Sequence, residues 1–345
     1  MLPIRTHAKS LHMSYPSFTL TNSTDGLEPA SAEVDAAPVC VMTFNASDPS
    51  GMGGLTADTT AIVSAGGHVL AVVTGAYVRD TTEIFDHIGF DEDVVSEQAR
   101  TALEDISISA IKVGFVGNPE NISVIAEIAA DYCEVPLIAY MPDLSWWQVS
   151  KIDDYLDAFR ELMLPQTTIL VGNHSSLWRW LLPDWPGERN PSAKDIAKAA
   201  AQLGVPYTLV TGIPLPDQFI DNALATPQAV VHSEKFERFE AVFGGAGDTL
   251  SAALAALLAN GHELEVATAE ALNYLDQSLS AGFSPGMGQT VPDRMFWAQS
   301  NDSANDDMLD DPLATDDSDS NSGLNSGQLA QRSFFDMPPL GTTKH

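Results

Sequence analysis

Between about residues 38 and 299, short apolar runs alternate with amphipathic stretches. Apolar runs bounded by turn residues predict buried strands, and apolar positions recurring every three or four residues predict helices. VCVMTF (39–44) therefore reads as a strand, followed by a Gly-rich loop and a helix over about 55–65. Further strands are predicted at HVLAVVTG (68–75), ISAIKVG (108–114), PLIAYM (136–141), TTILVG (167–172) and PYTLVTG (206–212). Helices are predicted over 92–104, 119–132, 152–163, 175–182 and 192–203. AVVHS (229–233) and FERFEAV (236–242) predict a hairpin, and helices over 248–260 and 264–282 close the domain. Strands alternating with helices define an α/β fold: a mostly parallel sheet with helices on both faces, its ligand site at the carboxyl ends of the strands. No internal repeat is found.

The flanks read differently. Residues 1–37 are polar without apolar periodicity and are expected to form a disordered N-terminal arm. Residues 300–345 are expected to be a disordered acidic C-terminal tail, since 301–321 holds eight Asp and no Lys or Arg. Such a segment buries too little apolar surface to offset its ordering entropy. An interaction or autoinhibitory role, with Phe334 and Phe335 as an apolar tip, is the alternative.

Charge narrows the function. With 16 Lys plus Arg against 47 Asp plus Glu, the chain carries a formal charge of -31. That speaks against nucleic acid, whose phosphates need a basic face, and against anionic membrane surfaces. The two cysteines, Cys40 and Cys133, form no disulfide framework and no metal-ligand spacing. No run of about 18 apolar residues predicts a membrane span, and no apolar segment follows Arg5 and Lys9 to make a signal peptide. The expected compartment is the cytoplasm.

Two glycine-rich loops carry the candidate chemistry. SDPSGMGGLTAD (47–58) follows the first strand, and FGGAGDTLSAALAALLANG (243–261) opens a late helix. At such junctions the free amides and the helix dipole can hold an anion. The first loop fails GxGxxG at its third glycine, and no GxxxxGK[ST], GxSxG or HExxH occurs, which sets aside dinucleotide, P-loop, α/β-hydrolase and zincin chemistry. Asp248 lies where the late helix begins. It reads either as an N-cap or as a base that accepts a proton beside a bound phosphate.

Together SDPSGMGGLTAD, AGG (65–67), VVTGAYVRDT (72–81), IKVGF (111–115) and GGAGDTLSAALAALLANG resemble hydroxymethylpyrimidine and phosphomethylpyrimidine kinases of thiamine biosynthesis. These are ribokinase-like kinases related to pyridoxal kinases, and the resemblance spans about 39–284. It implies a three-layer α/β/α kinase domain over 38–299, ATP and Mg2+ as cofactors, a small heteroaromatic alcohol as substrate, and a homodimer. It implies Asp248 as catalytic base, with Gly245, Ala246 and Gly247 forming the anion hole. Asp58 would hold the pyrimidine ring, the alternative being a first-turn acid that complements the helix dipole. Ala46 stands where a glycine backbone nears the substrate, Arg79 where a Gln reads the ring, and Phe115 where a Met packs on it. Arg offers donors only whereas Gln also accepts. This leaves a phosphorylated or carboxylated substrate, or a surface Arg paired with Asp80, as further readings; Phe115 reads equally as core.

The nucleotide side departs from the pattern. Asn173 is kept, but Ser176 replaces the Glu that helps organise the metal, and the metal ligands are left unassigned. The strand end that reads Asp-Pro-x-Met in the family is Tyr140, Met141, Pro142 and Asp143 here, with Asp143 standing in, shifted along the loop. Thr211 and Gly212 begin the segment in place of Lys-Gly-Gly-His, and Phe243 replaces a Thr. WRWLLPDWP (178–186) reads as local core or a lid. An active kinase is the expected function. A non-catalytic ligand-binding or regulatory protein of the same fold, and a pyridoxal kinase, are the alternatives.

Overall fold

The structure, a computed structural model, describes residues 37–298. The N-terminal arm and the acidic tail expected from the sequence lie outside the described residues. The described residues form a nine-stranded sheet in the order β3-β2-β1-β4-β5-β6-β7-β8-β9. Strands β1 (Cys40–Ser47), β2 (His68–Arg79), β4 (Ala110–Val113), β5 (Leu137–Met141), β6 (Ile169–Asn173) and β7 (Tyr207–Pro214) are parallel to one another. Antiparallel strands extend both edges: β3 (Ile84–Gly89) beside β2, then β8 (Phe219–Ala225) and β9 (Val230–Glu237) beyond β7.

Helices cover both faces, as a parallel sheet requires. One core packs α2 (Glu92–Asp105), α3 (Pro119–Asp131), α4 (Val149–Ala158), α5 (His174–Leu181) and α6 (Ala193–Ala201) against the sheet. The other packs α1 (Gly54–Ser64), α7 (Ala246–Ala259) and α8 (Leu264–Ser280). The three-layer α/β/α arrangement expected from the strand–helix alternation is what the chain adopts.

The pleat decides what each face receives. Along β1, Met42, Phe44 and Ala46 join the first core, while Val41 joins the second. Thr43 and Asn45 share the phase of Val41 and so face α1 and α7. In β4 the same alternation sends Ile111 and Val113 one way and Ala110 and Lys112 the other. In β5 it sends Tyr140 toward α7, on the side of Ile138. Three polar residues and a tyrosine are thereby delivered to one side of adjacent strands.

Two expectations are corrected. The predicted hairpin of 229–233 with 236–242 does not form, because 230–237 is one continuous strand whose antiparallel partner is β8. Asp248 is not an N-cap: α7 is capped by Gly245 in the left-handed conformation (φ 75°), and Asp248 is its third residue. Gly245 is required there because the carbonyl of Met52 occupies the space of any side chain.

A buried aromatic cluster backs the first core near the strand ends. Phe115 stacks on Tyr77 at 5.7 Å and meets His87 edge-on at 4.9 Å. His87 is buried and its Nε2 has no hydrogen-bond partner. Burial pulls its pKa down to about 4. A folded pKa below the unfolded value means protonation favours unfolding, so this contribution is complete above about pH 6.5 and is lost as pH falls toward 4. Urea unfolding at pH 7 and pH 5 should show a loss of stability on acidification that shrinks in His87→Gln; an identical loss in both proteins would contradict it.

Candidate active site

At the carboxyl ends of β1, β4 and β5, the two glycine-rich loops meet across a buried charge network. Lys112 Nζ donates to Asp58 Oδ1 at 2.7 Å and to Asp248 Oδ1 at 2.8 Å. Its side chain is 0% exposed, that of Asp58 0% and that of Asp248 15%. Asn45 Nδ2 bridges the same two carboxylates, donating to Asp58 Oδ2 at 3.0 Å and Asp248 Oδ1 at 2.9 Å. Thr43 Oγ1 donates to Asp58 Oδ2 at 2.7 Å. The Gly54 amide donates to Asp248 Oδ2 at 3.0 Å. One oxygen of Asp248 thus takes a cation and an amide, while the other is held by a backbone N–H at the cavity wall.

The electrostatics follow from this geometry. Burial drives the Lys112 pKa down, but the charges of Asp248 and Asp58 outweigh it and hold the ammonium above its ordinary value. Burial raises the Asp58 pKa above its ordinary value; Lys112 opposes this and Asp248 adds to it. A desolvated cation between two carboxylates is costly to break, so Asp248 sits in a rigid frame.

A cavity of about 350 Å³ opens above Asp248. Its walls include Gly53, Gly54, Tyr77, Arg79, Trp146 and Gly245. Gly245 caps α7 and Ala246 and Gly247 open its first turn, where the leading amides have no partner within the helix. Arg294, buried at the C-terminal end of the described chain, clamps the two loops together. Its Nε donates to Thr249 Oγ1 at 2.8 Å, one Nη to the Gly51 carbonyl at 3.2 Å and the other to that of Met52.

Of the residues expected at the substrate, Arg79 lines this cavity, whereas Ala46, Asp58 and Phe115 do not. Ala46, Asp58 and Phe115 are buried behind it, Asp58 facing Lys112 and Phe115 the aromatic cluster. The rings that line the wall are Tyr77, Tyr140, Trp146 and Phe243. Arg79 pairs with Asp48 at 3.3 Å, while its Nε donates to the backbone carbonyl of Asp80. Asp48 in turn accepts from Ser50 N, Ser50 Oγ and Gly53 N, so it shapes the first loop.

The expected nucleotide residues come together at the ends of β6 and β7, where Asn173 pairs in register with Thr211. Asn173 and Gly212 line a cavity of about 580 Å³ with Trp178, Phe219, Arg238 and Phe243. Phe243 also borders the cavity over Asp248. Asn173, Thr211 and Gly212 line a smaller hollow of about 180 Å³ that reaches Ala246. Asn173 also caps α5, its Oδ1 accepting from Ser175 N at 3.0 Å. Trp180 is buried core, and Trp178 packs against the same core while lining the cavity.

Lys112, Asn45 and Arg294 were not singled out from the sequence, and Tyr140 was noted only as the first residue of a strand end that departs from the family's motif. Lys112 carried a signal, a lone charge inside the apolar run AIKV (110–113), which a buried strand tolerates only beside a counter-charge. The two carboxylates that accept it lie 54 and 136 residues away in sequence, beyond any local pattern.

The three-layer α/β/α fold, with Asp248 in the first turn of a helix over the strand ends, is similar to that of solved small-molecule kinases. Pyridoxal kinase from Staphylococcus aureus, solved with AMP-PCP and pyridoxal, matches with a TM-score of 0.67 at 21% identity, covering 76% of this chain and 96% of that one. Phosphomethylpyrimidine kinase from Clostridium difficile 630 matches with a TM-score of 0.56 at 22% identity, covering 70% and 99%.

The chain belongs to the phosphomethylpyrimidine kinase family, whose model matches residues 48–293. Hydroxymethylpyrimidine/phosphomethylpyrimidine kinase from Streptomyces coelicolor is 25% identical over 255 residues, covering 73% of this chain and 92% of the relative. The enzyme of the same description from Mycobacterium tuberculosis is 27% identical over 267 residues, covering 75% and 94%. The chain is accordingly a phosphotransferase of the phosphomethylpyrimidine kinase type.

Proposed function

We propose that this chain transfers the γ-phosphoryl group of ATP to the hydroxymethyl group of hydroxymethylpyrimidine, or to its phosphate, with Asp248 as base. The observation that carries the reading is Asp248 itself, fixed at the cavity wall in the first turn of α7. Phosphoryl transfer depends mainly on positioning and charge stabilisation. Asp248 Oδ2 faces the space where a substrate hydroxyl would lie and accepts its proton. The amides from Gly245 to Asp248 balance the negative charge that gathers beside it. Tyr77 and Trp146 offer aromatic faces to a flat ring.

ATP fits the two connected hollows at the ends of β6 and β7, with Asn173, Thr211 and Gly212 beside it. Among the described residues no group of three or more His, Cys, Asp or Glu side chains could hold a metal, so magnesium would be held mainly by the nucleotide's phosphates and water, with at most one or two carboxylates of the chain. Ser176 lines a neighbouring hollow of about 250 Å³, while Asp143 borders both that hollow and the cavity over Asp248. No step is assigned to a protein-held metal. Assembly as a homodimer in the cytoplasm belongs to the same reading, and no helix among the described residues is long and apolar enough to cross a membrane.

Arg79 favours pyridoxal as a second substrate. Its guanidinium only donates, which suits a phenolate edge better than the amino edge of an aminopyrimidine. Arg79→Gln should raise kcat/KM for hydroxymethylpyrimidine relative to pyridoxal by roughly tenfold, since a mismatched buried group costs on the order of 1–3 kcal/mol. Asp48 keeps its three other donors in the variant. Steady-state kinetics on both substrates decide it, and an unchanged ratio would put Arg79 outside ring recognition.

A further inference from the structure

We propose that Tyr140 is a further catalytic residue, its hydroxyl donating a hydrogen bond to the negatively charged group held at the start of α7. The proposal rests on the phosphoryl-transfer reading given above.

The pleat of β5 aims Tyr140 at α7, and the residue lines the same cavity as Gly244, Gly245 and Asp248. Its ring and hydroxyl lie against the backbone of Gly247, where a Cβ would overlap both. Glycine at 247 therefore lets the phenol reach the helix N-terminus. Among the described residues the hydroxyl makes no hydrogen bond, and it is not among the sealed, unpartnered polar atoms of the interior. It thus faces the cavity with a proton to give and needs an acceptor there.

The surroundings keep that proton in place. Burial first, then the charges of Asp248, Asp143 and Asp58, raise the phenol far above its ordinary pKa, so it acts as a donor and not as a base. Charge balance gives the donor its value. Asp143, Glu83 and Asp248 line the cavity, and among the described lining residues Arg79, already paired with Asp48, is the one cation. An anion entering this space depends on neutral donors. The first amides of α7 supply some, and Tyr140 adds one on a side chain held by the sheet.

Tyr140→Phe in the full chain tests this directly, because it removes one oxygen and keeps the ring against Gly247. Melting temperature and KM for the ring substrate should stay near wild type, while kcat falls on the order of 10²-fold. Wild-type kcat in the variant would overturn the assignment, as would a loss confined to KM or matched by a fall in melting temperature. Calorimetric binding of pyrophosphate separates this proposal from the reading beneath it. If the wild type shows no turnover, the phosphoryl-transfer reading fails by itself, and pyrophosphate then decides for Tyr140. A dissociation constant raised roughly tenfold in Tyr140→Phe supports the donor, and equal affinity in both proteins overturns it.

Discussion

Asp248→Asn lowers turnover of ATP with hydroxymethylpyrimidine by about 10²–10⁴-fold, the usual contribution of a positioned base. Nucleotide and ring still bind, and nucleotide binds more tightly once a negative charge beside its phosphates is gone. Stability also falls. Asp248 accepts from Lys112, Asn45 and Gly54, and an amide in its place turns one acceptor toward these donors into a further donor. The cost is on the order of 1–3 kcal/mol, whereas a simple capping role would leave Asn equivalent to Asp. Kinetics, calorimetry and melting on one preparation of each protein check the three effects together. Unaltered turnover would remove Asp248 from the reaction.

Lys112→Met has the largest expected effect on stability. It leaves Asp58 and Asp248, which share the Lys112 ammonium, facing one another without a cation. Removing one member of a buried ionic group costs about 3–5 kcal/mol. Two carboxylates in one site cannot both ionise cheaply, so one pKa rises. The variant's deficit is therefore greatest at neutral and alkaline pH and shrinks as pH falls and a carboxylate takes up a proton. In the wild type the Lys112 pKa is raised over its unfolded value. Its contribution is complete below about pH 10.4 and is lost only as pH rises through the higher folded value, so between pH 5 and 9 the pH dependence of the difference comes from the variant. The acid limb of its kcat/KM profile moves to higher pH for the same reason. Urea unfolding at pH 5, 7 and 9 measures the effect; a deficit under about 1 kcal/mol, flat with pH, would contradict the network's role.

The fold was legible where periodicity and burial coincide. The six parallel strands lie where apolar runs placed them, and the helices between them follow within a few residues. The edges were not. β3 (IFDHIG) exposes most of its side chains, so it lacks the apolar run that marks an interior strand. β8 (FIDNALA) was missed because the turn before it uses Asp217 and Gln218 at φ 59° and 62°, left-handed positions that usually announce themselves by glycine. With β8 unread, β9 was given the wrong partner. At the site, the glycine loops and Asp248 were visible as a local pattern. Lys112, Asn45, Tyr140 and Arg294 were not, because their meaning lies in which face of a strand they occupy and in partners far along the chain. Asp58 and Phe115 show the converse. Both were offered at the substrate ring, Asp58 equally as a first-turn acid and Phe115 equally as core; the pleat and the turn of α1 put them behind the cavity wall, where one holds Lys112 and the other supports Tyr77.

The most direct test of the account is turnover by the wild-type chain. Purified protein is incubated with ATP, magnesium and hydroxymethylpyrimidine, and ADP and phosphorylated product are followed by phosphorus NMR, with pyridoxal and the pyrimidine phosphate in parallel. One ADP should form per phosphoryl group transferred to the ring's hydroxymethyl substituent or its phosphate, with no product above background for Asp248→Asn. No ring-dependent ADP formation with any of the three substrates, in a protein that melts cooperatively and binds them, would contradict it and leave a ligand-binding member of the family.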